Sequence, residues 1–166
     1  MSTSKYPDAA ERTKTLEHRG NAKRKRILIV EDNQIGLKLL SQLLKVHGYE
    51  TLDTTKGLEA ISLARDYRPD LILMDIRLPD ISGLEVTRLL KQDHQTKCIP
   101  IIAVTAFAML GDEAKALESG CDAHITKPVI LDNLLRTVSS FLSPFSLTGG
   151  PSIINKSAKP PIRIEM

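Results

Sequence analysis

The chain has 166 residues, of which 42% are hydrophobic, and its formal net charge at pH 7 is +3. This length is enough for one packed domain, and the longest apolar run, interrupted by Thr105, is well short of the roughly 18–20 residues that a membrane helix needs. The two cysteines, Cys98 and Cys121, lie far apart, and the N-terminus has no apolar leader, so we expect a reduced, cytoplasmic protein without a membrane partner.

From residue 26 onward, short apolar segments alternate with longer amphipathic segments. Ile27–Val30 is a β-branched and leucine run bounded by charges, which is typical of a buried parallel strand. Gln34–His47 places leucines at helical spacing and is followed by Gly48, a residue type that often ends a helix. Four further cycles predict strands at Glu50–Thr54, Asp70–Met74, Pro100–Thr105 and Ala123–Lys127, and helices at Gly57–Tyr67, Gly83 to about Gln92, about Leu110–Ser119 and Leu131–Leu142.

Five strands alternating with five helices predict an α/β domain with a doubly wound parallel sheet and helices on both faces. Charge separates this domain from the ends of the chain. Residues 1–25 are strongly basic, residues 26–142 are acidic on balance, and residues 143–166 contain Pro and Gly without apolar periodicity. We therefore expect a flexible basic extension, a folded domain and a disordered tail, in that order.

Chemically distinctive residues stand at the ends of four predicted strands. Glu31 and Asp32 follow the first strand, Asp75 the third, Thr105 ends the fourth and Lys127 ends the fifth. Ligands of open α/β sheets bind at the carboxyl ends of the strands. Each residue alone has a simpler interpretation, as a helix cap, a turn residue or a solvated side chain, but five such residues at one edge favour a site.

Three carboxylates brought together repel one another, and burial raises their pKa values. A divalent cation removes this conflict, and an all-oxygen ligand set suits Mg²⁺. Asp75 could then act as a nucleophile toward a phosphoryl group, with Lys127 as a second positive charge and Thr105 as a hydroxyl donor. Backbone N–H groups after Asp75 and Thr105 could bind the remaining phosphoryl oxygens.

Residues 26–142 resemble the response-regulator receiver (CheY-like) family. The resemblance rests on four segments: ILIVEDN at 27–33, DLILMDIRLPDISGLEV at 70–86, IPIIAVTAFA at 99–108 and ITKPV at 125–129. Further phrases, among them GYETL and AVTAFAM, look similar to single-domain cell-cycle regulators within the family. The resemblance implies a flavodoxin-like strand order, 2-1-3-4-5, and a switch that at most catalyses its own phosphorylation and dephosphorylation.

The resemblance also implies a role for each matching residue. Asp75 would be the phosphoacceptor, and Glu31, Asp32 and the Arg77 backbone carbonyl would complete the Mg²⁺ site. Lys127, joined to Pro128 by a cis peptide, would pair with the phosphoryl group. Backbone groups of Ala106 and Arg77 would contact that group, and Thr105 would swing toward it.

The resemblance further implies protein partners. A histidine kinase or a histidine phosphotransfer protein would dock near Ile35, Gly36 and Leu39 on the first helix, although core packing is an equal alternative for the two apolar residues. Downstream proteins would bind the face of helix 4, strand 5 and helix 5, at about residues 106–142. A departure from the family lies at His124, where an aromatic residue is usual. An imidazole there could follow the movement of Thr105, tune the switch by its own titration or couple weakly.

Three other functions remain open from the sequence. The domain could be an adaptor that binds partners without phosphorylation, although the complete acidic set argues against this. The basic run Lys23–Arg26 could contact nucleic acid, but a solubilising flank is the more common role, so we expect no nucleic-acid partner. An aspartate-type phosphatase usually has an acidic residue two positions after its nucleophile, where this chain has Arg77.

Overall fold

The computed structural model describes residues 24–106 and 112–143, without the side chains of residues 112 and 113. Within these ranges, strands and helices alternate along the chain as the sequence predicts. The elements are β1 (Arg26–Val30), α1 (Gln34–Val46), β2 (Glu50–Thr54), α2 (Gly57–Tyr67), β3 (Leu71–Asp75), α3 (Gly83–Gln92), β4 (Ile101–Thr105), α4 (Asp112–Glu118), β5 (Ala123–Thr126) and α5 (Leu131–Leu142).

The described strands form one parallel sheet in the order β2-β1-β3-β4-β5. The chain runs outward from β1 to β2 and then crosses back to β3, which pairs with the other side of β1. Strand order therefore reverses between β1 and β3, the position at which open α/β sheets bind ligands. The predicted doubly wound fold with order 2-1-3-4-5 is confirmed.

The core lies on both faces of the sheet because successive strand residues point to opposite sides. Leu28 and Val30 of β1 pack in one cluster with α2 and α3, whereas Ile27 and Ile29 pack in a second cluster with α1 and α5. Every residue of β3 and β4 is buried. Strands covered on both faces have continuous apolar runs, which explains why these strands are recognisable in the sequence.

Several boundaries differ from the prediction by one residue. β3 and β4 begin one residue later than predicted, at Leu71 and Ile101, and β5 ends at Thr126 rather than Lys127. Asp70 was predicted to open β3, but its carboxylate accepts hydrogen bonds from the Arg26 N–H at 2.9 Å and from Lys25 Nζ at 2.8 Å. These polar contacts hold Asp70 at the amino end of the sheet, outside the strand ladder.

The predicted start of the fourth helix, at about Leu110, lies outside the described residues. So do most of the predicted extension at 1–25 and most of the tail at 143–166. In the described part of the chain, no helix combines the length and apolarity needed to cross a membrane.

Candidate functional site

Parallel pairing brings the predicted site residues to one edge of the sheet. β1, β3, β4 and β5 lie side by side in matching register, so their carboxyl ends coincide. Lys127 lies one residue beyond β5, and its N–H donates to the Thr105 carbonyl at 2.7 Å, which continues the pairing of β5 with β4. This geometry places Lys127 beside β4, which lies between it and β3, the strand that carries Asp75.

Glu31, Asp32 and Asp75 form an acidic cluster. One carboxylate oxygen from each lies within 4.8 Å of the others. Glu31 is 3% exposed and Asp75 is 4% exposed, whereas Asp32 is open to solvent. The cluster therefore has two buried ligands and one accessible ligand, as expected for a site that an ion could enter from solvent.

Lys127 lies between the two buried carboxylates. Its Nζ is 2.7 Å from Asp75 Oδ2 and 2.7 Å from Glu31 Oε2. With the carboxylates ionised, three negative charges face one ammonium group, so the cluster carries a net charge of −2. A divalent cation would balance that charge, and an all-oxygen set is the ligand chemistry that Mg²⁺ prefers. The residues present therefore fit a magnesium ion.

Burial and ion pairing shift two pKa values in the site. Removal from water raises the pKa of Glu31, and the hydrogen bond and charge of Lys127 offset only part of this effect. Burial alone would lower the pKa of Lys127, but its bonds to Asp75 and Glu31 outweigh burial and raise the pKa above its ordinary value. The prediction that burial raises carboxylate pKa values is thus confirmed for Glu31.

The loop between β3 and α3 packs tightly around Asp75. The Arg77 N–H donates to Asp75 Oδ1 at 2.9 Å, which fixes the orientation of the carboxylate. A Cβ at Gly83 would lie 2.0 Å from the Asp75 carbonyl oxygen, so only glycine fits there. Arg77 and Ala106 both line the cleft that contains the acidic cluster, and the Lys127–Pro128 peptide is cis, as predicted.

Thr105 and His124 lie on neighbouring strands. Thr105 is 7% exposed at the end of β4 and pairs in register with Thr126, while His124 pairs with Ala103. Residues two apart on a strand share a face, so Thr105 and the half-buried His124 lie on the same face of the sheet. This placement is compatible with the predicted coupling between them, which stays a prediction.

Ile35, Gly36 and Leu39 lie on the first turns of α1 and line the same cleft. Ile35 is 82% exposed and Leu39 is 62% exposed. The alternative that these two residues belong to the core is therefore wrong, because helical spacing alone does not separate a core face from an exposed apolar one. Whether a partner covers them is a proposal.

Sequence reasoning missed Asn33 and Val129, which also line the cleft. The Asn33 side chain accepts the N–H groups of Ile35 and Gly36, at 2.9 and 3.1 Å, and so caps α1. An asparagine directly before an apolar helical pattern is a recognisable capping signal. Val129 has no comparable signal, since its position depends on the path of the chain after Pro128.

Two of the three described residues in the basic run at residues 23–26 form ion pairs. Lys25 Nζ lies 2.8 Å from Asp70 Oδ1, and Arg26 contacts Glu50 at 3.0 Å. Lys23 lies outside the described residues. Two of the four basic groups are thus partly neutralised, which weakens the case for a phosphate-binding run.

Comparison with known proteins gives a consistent result. A family model described as the response regulator receiver domain matches residues 27–139. The polar-differentiation response regulator DivK of Brucella anthropi is 53% identical over 118 residues, which are 71% of this chain and 96% of that protein. DivK of Brucella abortus is 52% identical over the same shares.

Solved structures of receiver domains are also similar. The receiver domain of the sensor histidine kinase PA1611 of Pseudomonas aeruginosa, solved with a magnesium ion coordinated in its active site cleft, is 33% identical, with a TM-score of 0.67 over 71% of this chain and 97% of that one. A CheY-like receiver domain protein of Methanospirillum hungatei is 32% identical, with a TM-score of 0.66 over 71% of this chain and 93% of that one.

Proposed function

The chain belongs to the response regulator receiver domain family of two-component signalling, and from this premise we propose that it is a single-domain switch that accepts a phosphoryl group on Asp75 in the presence of Mg²⁺. One observation supports the proposal most strongly. Asp75 is buried at the reversal point of the sheet, lies within 4.8 Å of two further carboxylates and contacts the ammonium group of Lys127. A structural aspartate has no need of this combination.

In the proposed reaction, an oxygen of the Asp75 carboxylate attacks the phosphorus of the donor. The new aspartyl P–O bond forms as the bond from phosphorus to the donor nitrogen or oxygen breaks, and the donor leaves with that electron pair. Mg²⁺, held by Glu31, Asp32, Asp75 and the Arg77 carbonyl, would supply charge neutralisation for the phosphoryl oxygens. Lys127 contributes a second positive charge, and the backbone N–H groups of Arg77 and Ala106 donate to phosphoryl oxygens.

The magnesium assignment is supported by the charge of the cluster. Its net charge of −2 matches a divalent ion, and the similar receiver domain of PA1611 was solved with magnesium in its cleft. Exposure of Asp32 leaves room for the water ligands that Mg²⁺ usually keeps.

Phosphorylation adds charge and acceptor oxygens at Asp75, and a signal requires an element with two arrangements that this change biases. We assign this role to Thr105 and to the face formed by α4, β5 and α5. Movement of Thr105 toward the phosphoryl group would be coupled to His124 on the adjacent strand. Replacing Thr105 by Val should leave phosphorylation measurable and reduce partner binding; unchanged partner binding would remove Thr105 from the switch.

We assign partner docking to the exposed apolar side chains on α1. A histidine kinase or phosphotransfer protein that covers Ile35, Gly36 and Leu39 would bring its phosphohistidine to the cleft. Ile35→Asp should slow phosphotransfer from a histidine donor and leave labelling by a small phosphodonor unchanged. Val46→Asp is a matched control, because Val46 is 83% exposed at the far end of the same helix. Equal phosphotransfer rates for both variants would contradict the assignment.

The relatives named DivK are polar-differentiation response regulators, so we place this protein in cytoplasmic cell-cycle control through histidine kinases. We do not assign it a metabolic reaction. Capture from a lysate, with beryllofluoride and Mg²⁺ bound to the protein as a mimic of the phosphoryl group, should recover a histidine kinase. Recovery of none, or equal recovery by Asp75→Asn, would contradict the pathway assignment but not the chemistry.

Intact-mass spectrometry after incubation with acetyl phosphate tests the central chemistry. We expect a phosphoryl adduct on wild type with Mg²⁺, and none with EDTA or on Asp75→Asn. A folded wild-type protein without an adduct, but with undiminished partner binding, would instead favour the adaptor.

A further inference from the structure

The β3–α3 loop is tied to a helix that takes no part in the acidic cluster. Asp80, in the middle of this loop, accepts the Gly57 N–H on Oδ1 and the Leu58 N–H on Oδ2, both at 2.9 Å. These are the first N–H groups of α2, and Lys56, which precedes the helix, makes no capping bond with its own side chain. The Asp80 carboxylate therefore caps α2 from 22 residues away in sequence.

The same loop carries the Arg77 carbonyl, the one proposed Mg²⁺ ligand that is not a side chain. Its two ends are fixed, since the Gly83 N–H donates to the Ile76 carbonyl at 2.9 Å and Gly83 packs directly on the backbone of Asp75. Between these ends, the Asp80 carboxylate makes two hydrogen bonds that tie the loop to the first turn of α2.

The first turn of α2 packs closely against the residue that follows Asp80. A Cβ at Gly57 would lie 2.6 Å from a methyl group of Ile81 and 2.8 Å from one of Val86. The first residue of α2 thus closely approaches the residue that follows Asp80, and glycine is what permits the approach. The β3–α3 loop is therefore held to the first turn of α2 both by the hydrogen bonds of Asp80 and by the apolar contact of Ile81.

We propose that Asp80 is a positioning residue for the metal site, holding the β3–α3 loop against α2 so that the Arg77 carbonyl stays available as a Mg²⁺ ligand. This inference rests on the proposed function. Mg²⁺ demands near-ideal octahedral geometry, and groups that orient ligands without touching the metal commonly affect affinity by 10- to 100-fold. A loop released from α2 lowers affinity because the carbonyl must be ordered when the ion binds.

A helix cap alone would also explain the two hydrogen bonds, and the two roles differ in what they change. Loss of a cap lowers the free energy of unfolding but leaves the Mg²⁺ affinity of the folded protein as it was. Loss of a positioning residue weakens Mg²⁺ binding even when all of the protein is folded. Metal affinity, measured apart from stability, therefore separates them.

Asp93 provides a matched control. Like Asp80, it lies in a polar loop and its carboxylate accepts a backbone N–H, that of Gln95 at 2.9 Å, and it also pairs with Arg65 at 2.7 Å. In both aspartates, hydrogen bonds from backbone N–H groups are the main reason that the side-chain pKa lies below its ordinary value. Asp93 lies just after α3, in a loop that carries none of the proposed metal ligands.

The experiment is isothermal titration of Mg²⁺ into wild type, Asp80→Ala, Asp80→Asn and Asp93→Ala, at a temperature where circular dichroism shows all four folded. We expect the Kd for Mg²⁺ to rise about tenfold in Asp80→Ala, less in Asp80→Asn, which keeps one acceptor oxygen, and not at all in Asp93→Ala. At saturating Mg²⁺, acetyl phosphate should label Asp80→Ala at close to the wild-type rate.

Each outcome decides a different point. Wild-type affinity in a folded but less stable Asp80→Ala would overturn the positioning role and leave only the cap. If Asp80→Ala does not fold, Asp80→Asn decides, and wild-type affinity there would overturn the inference. If wild type itself binds no Mg²⁺, the proposed magnesium site is wrong, and so is the role assigned to Asp80.

Discussion

Replacing Lys127 by Met tests the electrostatic description of the site most severely. The substitution keeps most of the side-chain volume but removes the ammonium group that lies 2.7 Å from Asp75 Oδ2 and 2.7 Å from Glu31 Oε2. Without it, Glu31 and Asp75, which are 3% and 4% exposed, lose the ammonium group that pairs with both of them. We therefore expect the folded state to be destabilised in EDTA.

The magnitude follows from the burial of the three groups. Removing one partner from a fully buried ion pair costs about 3–5 kcal/mol. The Lys127 side chain is 28% exposed, and the already raised pKa of Glu31 lets that carboxyl take up a proton and relieve part of the repulsion. Together these effects reduce the expected loss to about 2–3 kcal/mol of unfolding free energy near neutral pH.

The dependence on pH has a definite sign. Because the folded-state pKa of Lys127 is raised above 10.5, its contribution is fully present below pH 10.5 and is lost as the pH rises through the folded pKa. The difference in unfolding free energy between wild type and Lys127→Met should therefore persist from neutral pH up to pH 10.5 and decrease above it. It should also narrow below pH 4.5, where Glu31 is protonated in both states.

Urea unfolding in EDTA and in Mg²⁺ measures the effect. Mg²⁺ stabilises any folded state that binds it, by about 2.7 kcal/mol at a hundred times the Kd, and it should stabilise Lys127→Met at least as much as wild type because the competing ammonium is gone. Lys97→Met, which removes an exposed lysine charge far from the site, should change little. A Lys127→Met variant within about 0.5 kcal/mol of wild type in EDTA would refute the reasoning, since that is the size of an ordinary surface substitution.

Three further predictions concern regions outside the cluster. The hydrogen bond from the Gln95 N–H holds the pKa of Asp93 below 3.8. The ionised Asp93 therefore stabilises the folded state above pH 3.8, and this stabilisation is lost as the pH falls through the folded-state pKa. Unfolding measured at a series of acid pH values should show Asp93→Asn less stable than wild type near pH 6 and equal to it in strong acid. Cys98 is exposed and Cys121 is buried with a raised pKa, so mass spectrometry should show rapid maleimide labelling of Cys98 alone until urea is added. Gly83→Ala should unfold far more easily than wild type, because its Cβ would overlap the Asp75 carbonyl oxygen.

A specific result would contradict each of these three predictions. An Asp93→Asn gap that stays constant into strong acid would separate the stability effect from ionisation. Equal labelling rates for both cysteines in the native protein would contradict the burial of Cys121. Gly36→Ala is the control for Gly83→Ala, because a Cβ there meets Glu31 at an ordinary 3.5 Å; similar stability of the two variants would contradict the packing around Asp75.

The sequence predicts most of this fold because the sheet is covered on both faces. Residues 71–74 of β3 are apolar and all buried, so they stand out as a continuous run. Edges of elements are harder to predict, as Asp70 shows: its side chain bonds to Lys25 and Arg26, more than forty residues away. Such contacts arise only after the strands have paired.

The composition of the candidate site was predictable for a related reason. Parallel strands place their carboxyl ends at one edge, so the sequence alone groups Glu31, Asp75 and Lys127. Neither the bonds of Lys127 to both buried carboxylates nor the cap that Asp80 provides to α2 could be predicted. Pro79 and Asp80 are typical turn residues, and the sequence around them does not indicate that Asp80 accepts a hydrogen bond from Leu58, 22 residues earlier.

Chemical trapping of the phosphorylated residue shows directly whether Asp75 is the phosphoacceptor. Borohydride reduces an aspartyl phosphate to homoserine, so peptide mapping after acetyl phosphate treatment identifies the residue that carried the phosphoryl group. We expect homoserine at position 75 in the sample with Mg²⁺ and none in the sample with EDTA. Homoserine at position 32 instead, or equal trapping at position 75 with and without Mg²⁺, would contradict it.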